Sequence, residues 1–305
     1  MRILVFGAGA LGSFIGGVLS KKYDVTLYGR EEKILPIRES GLRINGKTNV
    51  VVRPKTAFDQ KDLEGQVFDL IILAVKSYDT ESAMDTVKDM VGQSTAVLSL
   101  QNGLDNEDII GEVIGKERTL GGVTSHGITF IEPGEVHHAG TGETVIGELN
   151  GEETERIKEI STALTSVGIE TRISKNIESE IWTKGIVNAG INPLTALTRL
   201  QNGYLLKIPW LTRLLENTCQ ECIRVANKAG IDLPGCDIIE KTKNVAKLTA
   251  ENKSSMLQDI ERGRRTEIDS INGAIVDIGK KHNVETPVSS TLVSLIKGIE
   301  EGRGR

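Results

Sequence analysis

Two groups of residues in this 305-residue chain have the types and spacing that chemistry needs. The first is the run Gly7-Ala8-Gly9-Ala10-Leu11-Gly12. At the spacing G-x-G-x-x-G, the first glycine makes a tight turn off a strand and the second lets the backbone approach a pyrophosphate. The third allows close contact between helix and strand. The N–H groups and positive dipole end of the following helix then favour phosphate. The second group is Lys184, Asn188 and Asn192, just ahead of Pro193. Lys184 and Asn188 stand at i, i+4 and share a helix face, in the company of Ile181, Ile186, Val187 and Ile191. A lysine in apolar surroundings needs a partner or a task. Hydride delivery to a ketone leaves an alkoxide, and a lysine ammonium offers both a proton and a positive charge beside the developing oxyanion. The asparagines can orient that lysine and the carbonyl. Because Asn192 precedes a proline, the backbone is expected to leave the helix there and turn the Asn192 side chain aside.

These groups require elements to hold them. Arg2 to Phe6 is an apolar, β-prone run, Ala10 to Leu19 is small and apolar as in a helix packed on a sheet, and Asp24 to Tyr28 reads as a second strand. Together they make a βαβ unit of about thirty residues around the glycines, the context that gives this motif its meaning. The second strand ends Leu27-Tyr28-Gly29-Arg30, with no acid at its tip. An NAD site usually places Asp or Glu there for the ribose 2′-OH. Arg30 instead puts a planar, permanently charged fork where a 2′-phosphate would sit. The expected cofactor is therefore NADP(H), held by Gly7, Ala8, Gly9, Ala10, Leu11, Gly12 and Arg30. The alternative is a solvated Arg30, with Glu31 or Glu32 serving the ribose.

Further along, Phe68 to Val75 is a continuous apolar run that stops at Lys76, and Thr95 to Leu100 is another, ending Gln101-Asn102-Gly103. Such runs mark parallel strands buried on both faces. Helical stretches at Glu31 to Glu39, Thr80 to Met90, Leu104 to Val113 and Glu152 to Val167 alternate with them, and Thr119 to Phe130 and Ile169 to Ile173 add strands. The fold class is α/β: an N-terminal Rossmann-type doubly wound sheet followed by an all-helical C-terminal domain. Ligands in such sheets sit beyond the carboxyl ends of the strands, which puts Lys76 and Asn102 at the same rim as the glycines. Gly134 to Gly147 reads as an antiparallel hairpin. His137 and His138 are adjacent in it, so they face apart, cannot jointly bind a metal and are read as structural. Near residue 175 the pattern turns wholly helical, with Glu178 to Ala189, Pro209 to Gly230, Cys236 to Lys253 and Met256 to His282. The expected domains are 1–174, binding NADP, and 175–305, binding substrate. Ser255 and Glu267 would lie about 18 Å apart on a straight helix, so serving one small site requires a break, placed at Gly263.

Composition limits the alternatives. Hydrophobic residues are 38 % and charged residues 26 %, with a net charge of −5. The basic residues are scattered rather than striped, which argues against nucleic acid or a membrane surface as partner. Ile3 to Leu19 is too rich in glycine for a membrane span. It is followed by no small-residue cleavage site, so it is not read as a signal peptide and a cytoplasmic location is expected. Cys219 and Cys222 form a C-x-x-C pair inside a helical pattern, and with Cys236 they suggest neither a metal nor a redox site.

Taken together, the glycine fingerprint with Arg30, the Gln101-Asn102-Gly103 loop, the K-x-x-x-N-x-x-x-N-P run from Lys184 to Pro193, and SSMLQDI…RTEIDSING from Ser254 to Gly273 resemble the ketopantoate reductase (2-dehydropantoate 2-reductase) family. The resemblance covers nearly the whole chain and implies NADPH-dependent reduction of 2-dehydropantoate to (R)-pantoate, a step toward pantothenate and coenzyme A. It implies that Lys184 is the general acid and that Glu267 binds the substrate's terminal hydroxyl and helps place Lys184. It also implies that Asn188, Asn192, Asn252 and Ser255 contact the substrate, and that Lys76 and Asn102 lie beside nicotinamide and substrate. Ser254 is the alternative to Ser255. Rival readings are a related two-domain hydroxy-acid dehydrogenase acting on another small keto acid, and a non-catalytic NADP(H) sensor. The helical domain offers a face for a homodimer.

Overall fold

The computed structural model describes residues 1–302. The chain forms two compact units: Met1–Gln101 with Asn106–Ile177, and Asn102–Asp105 with the chain from Glu178 on.

The first unit opens with β1 (Arg2–Phe6), α1 (Ala10–Leu19), β2 (Asp24–Tyr28) and α2 (Glu31–Ser40). It continues through β3 (Leu42–Gly46), β4 (Val50–Val52), β5 (Lys55–Ala57), β6 (Leu70–Leu73), α3 (Thr80–Val87), β7 (Ala96–Ser99) and α4 (Asn106–Ile114). It closes with β8 (Thr119–Thr124), β9 (Gly127–Glu132), β10 (Glu135–Gly140), β11 (Thr144–Glu148), α5 (Glu155–Ser166) and β12 (Thr171–Ile173). Eight strands make one sheet in the order β12-β11-β8-β7-β6-β1-β2-β5. Its centre is parallel, and β11 runs antiparallel to β8. Every residue of β6 and β7 is buried, as a strand covered by helices on both faces demands. One core layer joins Ile3, Val5, Ile15, Leu27, Ile72 and Leu98, and the opposite layer joins Leu4, Ile71, Leu73, Met84 and Val97. The alternation of strand side chains between these layers is the pleat expressed as packing.

A second sheet, β4-β3-β10-β9, corrects the hairpin expectation. β10 pairs with β3 and β9, whereas β11 joins β8 and β12 in the large sheet. β11 is buried throughout while β10 is buried only at Val136 and His138. One strand thus needs cover on both faces and the other on one, so they cannot share a two-stranded ribbon. Likewise the single strand region expected over Thr119 to Phe130 divides into β8 and β9, in different sheets. His137 and His138 do face apart. His138 packs on Phe14 with ring centroids 4.5 Å apart, and its Nε2 lies 3.2 Å from His126 Nδ1. His137 Nδ1 lies 2.5 Å from Asn45 Oδ1.

The second unit is helical: α6 (Ile177–Thr198), α7 (Tyr204–Lys207), α8 (Pro209–Lys228), α9 (Ile238–Leu248), α10 (Ser255–Glu261), α11 (Ala274–Lys281) and α12 (Pro287–Gly302). Its core includes Trp182, Ile186, Leu194, Leu215, Val225, Ile260, Ile271 and Leu292. Two expectations meet different outcomes here. Pro193 lies inside α6, so the helix does not end at Asn192. The stretch from Met256 to His282 does break: α10 stops at Glu261, Gly263 takes φ +66°, and a π turn over Asp269–Gly273 leads into α11. A positive φ is where glycine costs least. Cys219 and Cys222 are buried in α8, and burial pushes the Cys219 thiol up to about 11, which keeps it protonated and unreactive at neutral pH. Among the described residues, no helix is long and apolar enough to cross a membrane. Nor, among them, do three or more His, Cys, Asp or Glu side chains gather as a metal site.

Candidate active site

In the first unit, packing dictates two of the three fingerprint glycines. Gly7 takes φ +123°, and a Cβ there would lie 2.7 Å from the carbonyl carbon of Ala74. A Cβ on Gly12 would lie 1.9 Å from the Gly7 carbonyl oxygen. Gly9 differs: the nearest atom to a Cβ would be 4.0 Å away. Its bare backbone therefore faces open space at the start of α1, where it is the N-cap residue without a side-chain cap. The first turn of α1 carries no acid. An uncapped, acid-free N-terminus with an open approach fits a pyrophosphate. Ala8 is buried, and its Cβ stands 2.5 Å from where a Gly29 Cβ would be, which brings the end of β2 close against the turn. Ala10 and Leu11 begin α1 and are half-buried.

Arg30 follows immediately as the exposed N-cap residue of α2. Glu31 and Glu32 lie in the first turn of that helix, where a helix dipole stabilises acids by itself. Lys76, half-buried, precedes a short 3-10 turn at the end of β6. Beside it stands a network that sequence reasoning missed. The Gln101 amide donates to the Val75 carbonyl at 3.2 Å and to Thr80 Oγ1 at 2.8 Å, and Thr80 donates to Asn106 Oδ1 at 2.9 Å. It ties together the carboxyl ends of β6 and β7. The Gln101-Asn102-Gly103 motif was its only signal.

In the second unit, α6 carries Lys184, Asn188 and Asn192 at successive turns. Because the helix continues through Pro193, all three fall on one stripe. Lys184 and Asn188 are half-buried and Asn192 is buried. The loop Asn102–Asp105 packs against this helix: a Cβ on Gly185 would lie 2.6 Å from Leu104 Cδ2. Leu104 N–H donates to the Ser270 carbonyl at 3.1 Å, and the Asn102 amide donates to Glu267 Oε2 at 3.1 Å. Glu267 is 5 % exposed. Its neighbour Thr266 donates its backbone N–H to Glu300 Oε1 on α12 at 2.7 Å, another contact the sequence did not reveal. Burial raises the Asp269 carboxyl, but hydrogen bonds from Lys297 and Arg265 outweigh it and hold that carboxyl below its ordinary range.

Ser254 and Ser255 separate cleanly. Ser254 is buried, caps α10 by accepting from Leu257 N–H at 3.1 Å, and accepts from Thr195 Oγ1 on α6 at 2.7 Å. Ser255 and Asn252 are exposed.

Comparison with known proteins decides the family. The profile described as ketopantoate reductase PanE/ApbA matches residues 3–151, and its C-terminal counterpart matches 176–300. The chain belongs to the ketopantoate reductase family. A relative from Halobacterium salinarum named 2-dehydropantoate 2-reductase is 39 % identical over 302 residues, 97 % of this chain and 98 % of that one. The PanE/ApbA family ketopantoate reductase from Ralstonia eutropha JMP134 superposes with a TM-score of 0.92 at 30 % identity, each chain fully covered. D-mandelate dehydrogenase, solved with NADH and anilino(oxo)acetate, superposes with a TM-score of 0.94 at 30 % identity, again over the whole of both chains.

Proposed function

We propose that this chain reduces 2-dehydropantoate to (R)-pantoate with NADPH, and so serves the synthesis of pantothenate and coenzyme A. The observation that carries the reading is the Asn102–Glu267 hydrogen bond, beside a helix that presents Lys184, Asn188 and Asn192 on one stripe. NADPH supplies a hydride to the ketone carbon. Gly7, Ala8, Gly9, Ala10, Leu11, Gly12 and Arg30 hold it, with Arg30 on the 2′-phosphate and Lys76 and Asn102 toward the nicotinamide. The open backbone at Gly9 and the exposed guanidinium at Arg30 support that assignment. As the carbonyl oxygen gains charge, Lys184 gives it a proton and the product leaves as an alcohol. Holding the ammonium there lowers the energy of the developing oxyanion before the proton moves. Glu267, buried and oriented by Asn102, accepts the substrate's terminal hydroxyl. Asn188, Asn192, Asn252 and Ser255 complete the substrate contacts. Ser255 is preferred to Ser254 because the latter's hydroxyl is committed to its cap and to Thr195. Residues 1–174 then act as the NADP-binding domain and 175–305 as the substrate domain. A homodimer through the helical domain belongs to the same reading, supported by the exposed Tyr204, Trp210 and Leu248, and light scattering of the purified protein tests it.

A second reading, a dehydrogenase for another small 2-hydroxy acid, is favoured by the likeness to D-mandelate dehydrogenase. The 39 % identity to a 2-dehydropantoate 2-reductase over almost the whole chain weighs for the first. Steady-state turnover of 2-dehydropantoate against phenylglyoxylate, each with NADPH and with NADH, separates them. Preferred reduction of phenylglyoxylate with NADH would establish the second.

A further inference from the structure

Pro193 lies four residues after Ala189 within α6. In a regular helix the Ala189 carbonyl would accept from the N–H of residue 193, but proline has none, and its ring crowds the carbonyl of the preceding turn. A donor arrives from outside the helix: Asn272 Nδ2 donates to the Ala189 carbonyl at 3.4 Å. Asn272 is 0 % exposed and sits in the π turn Asp269–Gly273, which Gly273 N–H closes onto the Ile268 carbonyl five residues back at 2.9 Å. That extra residue per turn re-aims the side chains within it.

The other half of the same amide shows what the residue is for. Asn272 Oδ1 is buried with no hydrogen-bond partner. A buried acceptor left unsatisfied costs stability, so an asparagine at this position makes sense only if its donor is needed. The need is at Ala189, the residue after Asn188 and between the turns that carry Lys184 and Asn192. The π turn in its own direction begins two residues after Glu267. One amide therefore connects the helix bearing the lysine to the segment bearing the carboxylate, at the carbonyl where the proline has removed the helix's own donor.

We propose that Asn272 is a positioning residue: by donating to the Ala189 carbonyl that Pro193 leaves without a helical donor, it fixes the register of Lys184 and Asn188 against Glu267. The inference rests on the roles of Lys184 and Glu267 proposed above, and the test keeps the two apart. Asn272→Ala is made in the native background and in Pro193→Ala, where residue 193 regains its N–H and α6 can satisfy Ala189 alone. With 2-dehydropantoate and NADPH, Asn272→Ala lowers kcat about tenfold in the native background, because a small misplacement of a catalytic group is costly. KM for NADPH stays within about twofold, since Gly7 to Gly12 and Arg30, assigned to the phosphates of the dinucleotide, belong to the other unit. In the Pro193→Ala background the loss in kcat shrinks to less than about threefold, and the fall in Tm shrinks with it, the mark of coupling through a shared partner. Equal losses in both backgrounds would overturn the proposal, as would coupled melting with unchanged kcat. If Asn272→Ala fails to fold, recovery of folding in the Pro193→Ala background is the expected result, and failure in both overturns it. Absence of turnover by the native enzyme, with the melting coupling intact, would count against the proposed function and not against the contact.

Discussion

The Asn102 side-chain amide donates to Glu267 Oε2 at 3.1 Å across 165 residues of sequence. The contact explains why the four residues Asn102–Asp105 pack with the helical unit although they follow a strand of the sheet. It also gives a buried carboxylate a fixed direction.

Removing that donor leaves Glu267 with one polar contact fewer, and a buried acceptor deprived of a hydrogen bond loses about 1–3 kcal/mol. Asn102→Ala is expected to lower kcat/KM for the keto acid by about tenfold to a hundredfold, on the equivalence of about 1.4 kcal/mol to tenfold. Glu267→Gln keeps an oxygen for the Asn102 amide, so its Tm should stay near the native value while substrate affinity falls. An unchanged KM and kcat in Glu267→Gln would remove the carboxylate from substrate binding.

Arg30 stands exposed at the end of β2 and makes no contribution to the core. A charge-assisted hydrogen bond to a phosphate is worth about 1.5–3 kcal/mol. Arg30→Ala should therefore raise KM for NADPH about tenfold or more and leave NADH nearly untouched. Equal losses for the two cofactors would sink the assignment of Arg30 to the 2′-phosphate.

The paired histidines make stability depend on mild acid. Burial, and then the charge of its partner, hold His126 below the ordinary histidine range. For His138 burial again leads, opposed by the Gly140 carbonyl and reinforced by His137 and Lys47. Because the folded state binds these protons less readily than the unfolded chain, stability is complete above the unfolded value of about 6.5 and declines as pH falls below it toward the folded values. Melting temperature between about pH 7 and pH 5 should drop in the native protein and more shallowly in His126→Gln, in a window above ordinary carboxylate titration. An identical slope in both would show that the pair is not responsible.

The residues legible from sequence are those whose reason is local. Gly7 and Gly12 follow from a turn that admits no side chain, and the Gly263 break from the impossibility of one straight helix serving two ends of a small site. The buried runs of β6 and β7 and the change to helical periodicity gave the fold class on the same grounds. What escaped depends on partners far along the chain. β10 and β11 share an alternating pattern, and only their separate sheets tell them apart. Pro193 looked like a helix end because nothing nearby announces that Asn272 supplies the missing donor. Gln101 and Glu300 act on backbone groups 26 and 34 residues away, and side chain to backbone contacts of that range leave no spacing signature.

The proton donor is the point on which the mechanism turns, and the direct measurement is kcat for 2-dehydropantoate with saturating NADPH, native against Lys184→Ala. The expected result is ready turnover by the native enzyme and a fall of about 10²- to 10⁴-fold in the variant, the usual loss when a general acid is removed. Native-level kcat in Lys184→Ala, or no turnover by the native enzyme, would contradict it.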